Sequence, residues 1–184
     1  MDRQEQIDLI RNLLLLVGDD PNREGLKETP QRFLQAWKFL NSGYAKNPQD
    51  IMKSFENPQV EVDQLIVVPK IDFYSLCEHH LFPFYGQIHI GYLPDKKVLG
   101  ISKFARLVEI YARRLQIQER LGQQIADDIM KYVEPKGVGV VIRGIHLCMR
   151  SRGVEKQNSE MVTSVMLGFF RDKSELRAEF LNLI

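Results

Sequence analysis

Two amphipathic helical patterns stand back to back between two pairs of strand patterns, and that order leaves few folds open. Phe84, Gly86, Ile88, Ile90 and Tyr92 alternate with Tyr85, Gln87, His89 and Gly91, the period of a half-buried strand. Val60–Val68 reads as a strand before it. Phe104, Leu107, Val108, Tyr111 and Leu115 then recur at helical spacing behind Ser102 as N-cap. A second helix follows, with Ile117, Leu121, Ile125 and Ile129 inward. Val138–Met149 is rich in β-branched residues and reads as a strand. Residues 150–160 form a polar loop, 161–170 a further strand, and 173–182 a short helix. Strands and helices do not alternate one by one, so the pattern predicts an α+β fold with an antiparallel sheet.

The first 50 residues read as a helical extension, and residues 51–184 as the main domain. Ile7, Ile10, Leu13, Leu14 and Val17 give an amphipathic helix over 2–17. Thr29-Pro30 opens another, with Thr as N-cap and Pro in the first turn. Phe33, Ala36, Trp37 and Leu40 form its buried stripe, and Gly43 ends it.

Composition narrows the function classes. The 184 residues are 44% apolar with a net charge of +1, enough for a sizeable core without metal. Near-neutral charge argues against a general nucleic-acid or membrane-surface binder. Leu13–Val17 is apolar but too short to span a bilayer, so the chain reads as cytoplasmic. Thiols stay reduced there, which makes Cys77 and Cys148 ligands rather than a disulfide.

Their neighbours sharpen that reading. Both cysteines and three of the four histidines lie in Cys77-Glu-His-His80 and His146-Leu-Cys148. A thiolate and an imidazole three residues apart, joined by a second thiolate from a distant strand, suit Zn²⁺. His146 and Cys148 stand two apart on the strand over 138–149, so period two points both into one site. Cys77, His80 and Cys148 would hold the ion with one position open, leaving His79 and His146 to move protons. The bland alternative is a closed structural site with His79 or His146 as fourth ligand. The His-x-Glu…Pro-Cys-x-x-Cys pattern of zinc deaminases is absent.

Cations break local rules nearby. Arg32 lies in the first turns of its helix, Lys103 and Arg106 follow Ser102, and Arg150 and Arg152 follow Cys148. Helix N-termini disfavour cations unless an anion docks there. Several such places imply a polyanion such as a triphosphate, although any one long basic side chain could simply reach for water. Gln118 and Glu119 open a helix. Glu suits a first turn on electrostatic grounds alone, but its carboxylate can also accept from guanine N1–H and the exocyclic amine, a donor pair adenine lacks.

Five blocks together resemble the GTP cyclohydrolase I family. They are Glu28-Thr-Pro-Gln-Arg32, Ser75-Leu-Cys-Glu-His-His80, Gly100-Ile-Ser-Lys-Phe-Ala-Arg106, Gln116-Ile-Gln-Glu-Arg-Leu-Gly-Gln-Gln124 and His146-Leu-Cys-Met-Arg-Ser-Arg-Gly153. The resemblance runs over roughly residues 20–182. It implies the tunnelling fold, an antiparallel sheet with helices packed on one face, with sheets joined into a barrel by oligomerisation as a homodecamer of two pentamers with interfacial active sites. It implies conversion of GTP to formate and 7,8-dihydroneopterin triphosphate, the entry to folate or tetrahydrobiopterin. By position, Cys77, His80 and Cys148 would be zinc ligands, and His79 and His146 proton-transfer residues. Glu119 with Gln118 would recognise guanine. Arg32, Lys103, Arg106 and Arg152 would contact the triphosphate, and Ser102 the ribose. The related nitrile reductases need a cysteine outside a metal site, and both cysteines here are already used.

Overall fold

The computed structural model describes residues 1–56 and 64–184. Residues 60–63 of the strand predicted over 60–68 fall outside them. Contacts divide the chain into Met1–Asn41 and Ser42–Ile184. The expected boundary was residue 50. Residues 42–46 instead belong with the second unit, because Gly43 N–H donates to Arg113 O and the Arg114 guanidinium donates to Gly43 O and Lys46 O.

The first unit holds α1 (Arg3–Leu16) and α2 (Thr29–Leu40). Asp2 and Glu5 form a reciprocal capping box that satisfies the first free N–H groups of α1. In α2, Glu28 rather than Thr29 occupies the N-cap, with no side-chain capping bond, and Pro30 fills the first turn. That helix ends at Asn41, not Gly43. Gly43 serves a different purpose: a Cβ there would lie 2.1 Å from Ile110 O, so only glycine allows this close approach.

The second unit runs β1 (Ser54–Glu56), β2 (Ile66–Cys77), β3 (Pro83–Leu93), β4 (Lys97–Leu99), α3 (Ile101–Ala112), β5 (Leu115–Gln116), α4 (Gln118–Val133), β6 (Gly137–His146), α5 (Leu147–Arg150), β7 (Met161–Gly168), α6 (Phe169–Asp172) and α7 (Ser174–Asn182). β1 and β4 make a separate two-stranded ribbon. The main sheet has the order β5-β2-β3-β6-β7. Its long pairs are antiparallel as expected, and only the two-residue β5 runs parallel to β2. Leu115 therefore extends the sheet instead of ending a helix, and Arg113 caps α3.

Phe84, Ile88, Ile90 and Tyr92 on β3, and Val138, Val140 and Ile142 on β6, pack into one core with Leu107 and Val108 of α3 and Leu121, Ile125 and Ile129 of α4. On β3, α3 and α4 these are residues whose spacing predicts burial, whereas β6 is read only from its richness in β-branched residues. Helices were expected on one face only. The opposite face carries a second, smaller core where Val141 meets Phe170 of α6 and Phe180 of α7. Gly91 and Gly139 admit these rings, since a Cβ at either would come within 2.7 Å of them. Fully burying each ring contributes about 1.5–3 kcal/mol. Both faces of β6 are thus apolar at that end, which accounts for the consecutive Val140, Val141 and Ile142. Among the described residues no helix is long and apolar enough to cross a membrane.

Candidate active site

Cys77 ends β2, and its N–H donates to Phe82 O across a tight turn. His80 sits in that turn, with N–H donating to Cys77 O and Nδ1 3.9 Å from Cys77 Sγ. Cys148 arrives differently from the expectation. β6 stops at His146, and Leu147–Arg150 form a single helical turn. The reason is local: Ser151 N–H and Oγ both donate to Leu147 O, closing the turn. Strand periodicity therefore does not align His146 with Cys148. The turn still delivers the thiol, and the ligand atoms of Cys77, His80 and Cys148 all lie within 4.8 Å of one another.

This set fits zinc. Two sulfurs and one imidazole are the soft donors Zn²⁺ favours, and Zn–S bonds of about 2.3 Å in a tetrahedron put ligand atoms roughly 3.6–3.8 Å apart. Burial, then the neighbouring Cys77, push the Cys148 thiol upward in pKa, while Arg152 pulls it down. A bound dication reverses the upward push by stabilising thiolate.

Around the triad the predicted residues are placed unevenly. His79 is exposed, with Nδ1 4.0 Å from Cys77 Sγ. His146 lines a cavity of about 320 Å³ with Gly144, Cys148, Met149, Ser159, Glu160 and Met161. Its ring stacks on Phe84 at 4.6 Å between centroids and 8° between planes. Burial pushes its pKa down, and the nearby Glu119 carboxylate pulls it back. Glu119 is exposed in the first turn of α4.

Gln118 is placed unlike its expected role. It is fully buried, its Nε2 donating to Ile142 O, Met161 O and Thr163 Oγ1 while Oε1 faces His146 Nε2 at 3.0 Å. Every polar atom of the amide is engaged inside the protein, which leaves none for a ligand.

The cations separate into groups. Arg152 is exposed, near enough to Cys148 to act on its thiol. Ser102, Lys103 and Arg106 lie on the first turns of α3, whose N-cap is Gly100, not Ser102. Lys103 N–H donates to Gly100 O at 2.9 Å, so the Ser102 hydroxyl is not spent on capping. Arg106 opens onto another cavity, of about 380 Å³, with Lys46, Ile51 and Glu109. Arg32 belongs to the other unit, where it pairs with Glu28 one turn earlier on α2.

Sequence reasoning missed one contact beside the triad. Glu78, between the ligand Cys77 and His79, forms an ion pair with Arg120 of α4. Arg120 also donates to Gln116 Oε1 and Leu115 O. Its hydrogen bond holds the Glu78 carboxyl below the usual carboxylate range. The pair links the ligand turn to the helix that carries Gln118 and Glu119.

Known proteins match this chain along almost its full length. The family model described as GTP cyclohydrolase I matches residues 7–184. GTP cyclohydrolase 1 of Methylococcus capsulatus is 54% identical over 178 residues, covering 96% of this chain and 95% of the relative. The Coxiella burnetii protein of the same name is 51% identical over 177 residues, 96% of both chains. That of Campylobacter lari is 50% identical, covering 95% of this chain and 92% of the relative. With a soft-ligand triad in place beside His146, and identity sustained from end to end, the chain belongs to the GTP cyclohydrolase I family.

Proposed function

We propose that the protein hydrolyses and rearranges GTP to formate and 7,8-dihydroneopterin triphosphate, with net consumption of one water, in the first step of folate or tetrahydropterin synthesis. The observation that carries this reading is the Cys77–His80–Cys148 group, its ligand atoms within 4.8 Å, opening beside His146 and its cavity. Cys77, His80 and Cys148 would hold Zn²⁺, a Lewis acid that lowers the pKa of a water from 15.7 to about 7 and so supplies a nucleophile at neutral pH.

The chain's own residues do the rest. Glu119 accepts from guanine N1–H and the exocyclic amine, which fixes the purine and rejects adenine. His146 delivers a proton to N7 as the imidazole ring opens, a positioned acid worth about 10²–10⁴-fold. His79 and Ser102 move protons near the ribose as it opens and rearranges. Lys103, Arg106, Arg152 and Arg32 hold the triphosphate, which orients the base without reacting. A ligand set that requires reduced thiols supports a cytoplasmic location.

The test is formate release and oxidised-pterin fluorescence with GTP and ATP in parallel. GTP is expected to give both signals and ATP neither. Glu119→Ala should raise KM for GTP by about 10- to 100-fold, the effect of losing one or two charge-assisted hydrogen bonds, with zinc content unchanged. Equal turnover of ATP, or an unchanged KM in the variant, contradicts guanine readout.

We also propose that copies join edge to edge into a closed barrel, as a decamer of two pentamers with active sites between copies. In the described sheet β7 pairs only with β6, and β5 covers only Leu76 and Cys77 of β2. Unpaired strand edges of this length favour continuation by another chain. Sedimentation should give a mass far above the 21.4 kDa of one chain. A fully active monomer refutes the assembly.

A further inference from the structure

We infer that Gln118 is a positioning residue for His146: it fixes which ring nitrogen exchanges a proton with the substrate. This rests on the proposed role of His146 in ring opening and extends it.

The argument begins with the amide's orientation. Three acceptors face one end of the Gln118 side chain: Ile142 O at 3.2 Å, Met161 O at 3.0 Å and Thr163 Oγ1 at 3.1 Å. Two of them are carbonyl oxygens and cannot donate. Turning the amide over would press its oxygen against both, so the NH₂ group must point there. The oxygen is then left for His146 Nε2 at 3.0 Å. A carbonyl oxygen only accepts, so His146 must carry a hydrogen on Nε2 in every protonation state that keeps the contact. Nδ1 is the nitrogen that remains for chemistry. As imidazolium His146 gives up the Nδ1 proton to guanine N7 and becomes the neutral Nε2–H form. Water later returns a proton to Nδ1, and the bond to Gln118 persists throughout.

Two further features serve this arrangement. Phe84 stacked on the imidazole fixes the ring plane, and Gln118 fixes the rotation within it. Gly144 of β6 leaves the necessary gap, because a Cβ there would stand 2.1 Å from Gln118 Oε1. The same Cβ would stand 3.1 Å from Gln118 Cδ and 3.5 Å from His146 Nε2, so Gly144 makes room for both partners of the contact. Gln118 itself is fully buried and has no polar atom left for GTP. Its influence on the reaction must pass through His146.

The decisive experiment compares zinc-loaded wild type with Gln118→Met, which keeps the volume and removes the amide, and with Gly144→Ala, which displaces the amide from the other side. Each is expected to lower kcat about 10- to 100-fold, the usual effect of removing the partner that orients a functional imidazole. KM for GTP and zinc content should stay at the wild-type level. In a His146→Ala background, Gln118→Met should cost nothing further, because residues acting as one unit are not additive. With only four histidines, ¹⁵N-histidine spectra are tractable, and His146 should show the Nε2–H form in wild type and a tautomer mixture in Gly144→Ala. A raised KM with normal kcat, losses that multiply with His146→Ala, or an Nδ1–H form in wild type overturns the inference. Should Gln118→Met fail to fold, Gly144→Ala and the spectra decide. A wild type that releases no formate from GTP would instead sink the proposed reaction, while the tautomer remains readable.

Discussion

Cys148→Ser is expected to strip the metal and abolish formate release while leaving the protein folded. A serine hydroxyl is not ionised at neutral pH and is a hard oxygen donor, whereas the site offers zinc two thiolates and an imidazole. With the group that lowers a water's pKa from 15.7 to about 7 gone, turnover should fall by roughly 10³-fold or more. Cys148 is half-buried, at the margin of a core built mainly from β3, β6, α3 and α4. The substitution therefore leaves the main packing intact, and thermal unfolding should remain cooperative. Metal analysis, formate release and a melting curve on one preparation separate loss of ligand from loss of fold. Normal turnover by a metal-free variant would refute the assignment of Cys148, and with it the proposed chemistry.

The same residue shows how a sequence can single out residues that the fold brings together, yet by a wrong route. Cys77, His80 and Cys148 stood out because thiols and imidazoles are scarce in this chain and clustered. That inference needed only residue chemistry, and the structure brings the three together. The supporting argument from strand periodicity fails at His146, where the backbone turns helical. Nothing in the β-branched run over 138–145 announces that stop, which depends on Ser151 bonding back to Leu147 O. The main core was legible for a similar reason: Ile88, Ile90 and Leu121, Ile125, Ile129 follow periods of the backbone itself. The second core was not, because it depends on distant glycines, Gly91 and Gly139, making room for Phe170 and Phe180. Gln118 shows the same limit. Beside Glu119 at a helix start it reads as a ligand contact, and only the approach of β6 and β7 reveals an amide with all its bonds made internally. Gly144, inside a strand pattern, is the available signal, since a strand glycine marks close approach.

His146→Ala separates catalysis from scaffolding most directly. If His146 is a proton donor outside the ligand set, the variant should keep its zinc and lose kcat by about 10²–10⁴-fold. KM for GTP should change little, because the lost interaction belongs to the transition state. The structure favours this outcome on two grounds. The group of mutually close ligand atoms comprises Cys77, His80 and Cys148 without His146. His146 Nε2 is also committed to Gln118, so one of its two nitrogens is already occupied by a protein partner. The closed-site alternative makes the opposite forecast, since removing a fourth ligand would release metal and reduce stability together. Small exogenous imidazole adds a discriminating arm. The alanine leaves a gap beside Phe84, whose ring now has no stacking partner on that face. Partial recovery of formate release on adding imidazole, at constant zinc content, is the result expected of a proton donor. Zinc loss with no rescue would convert the site into a structural one and remove the acid from the mechanism.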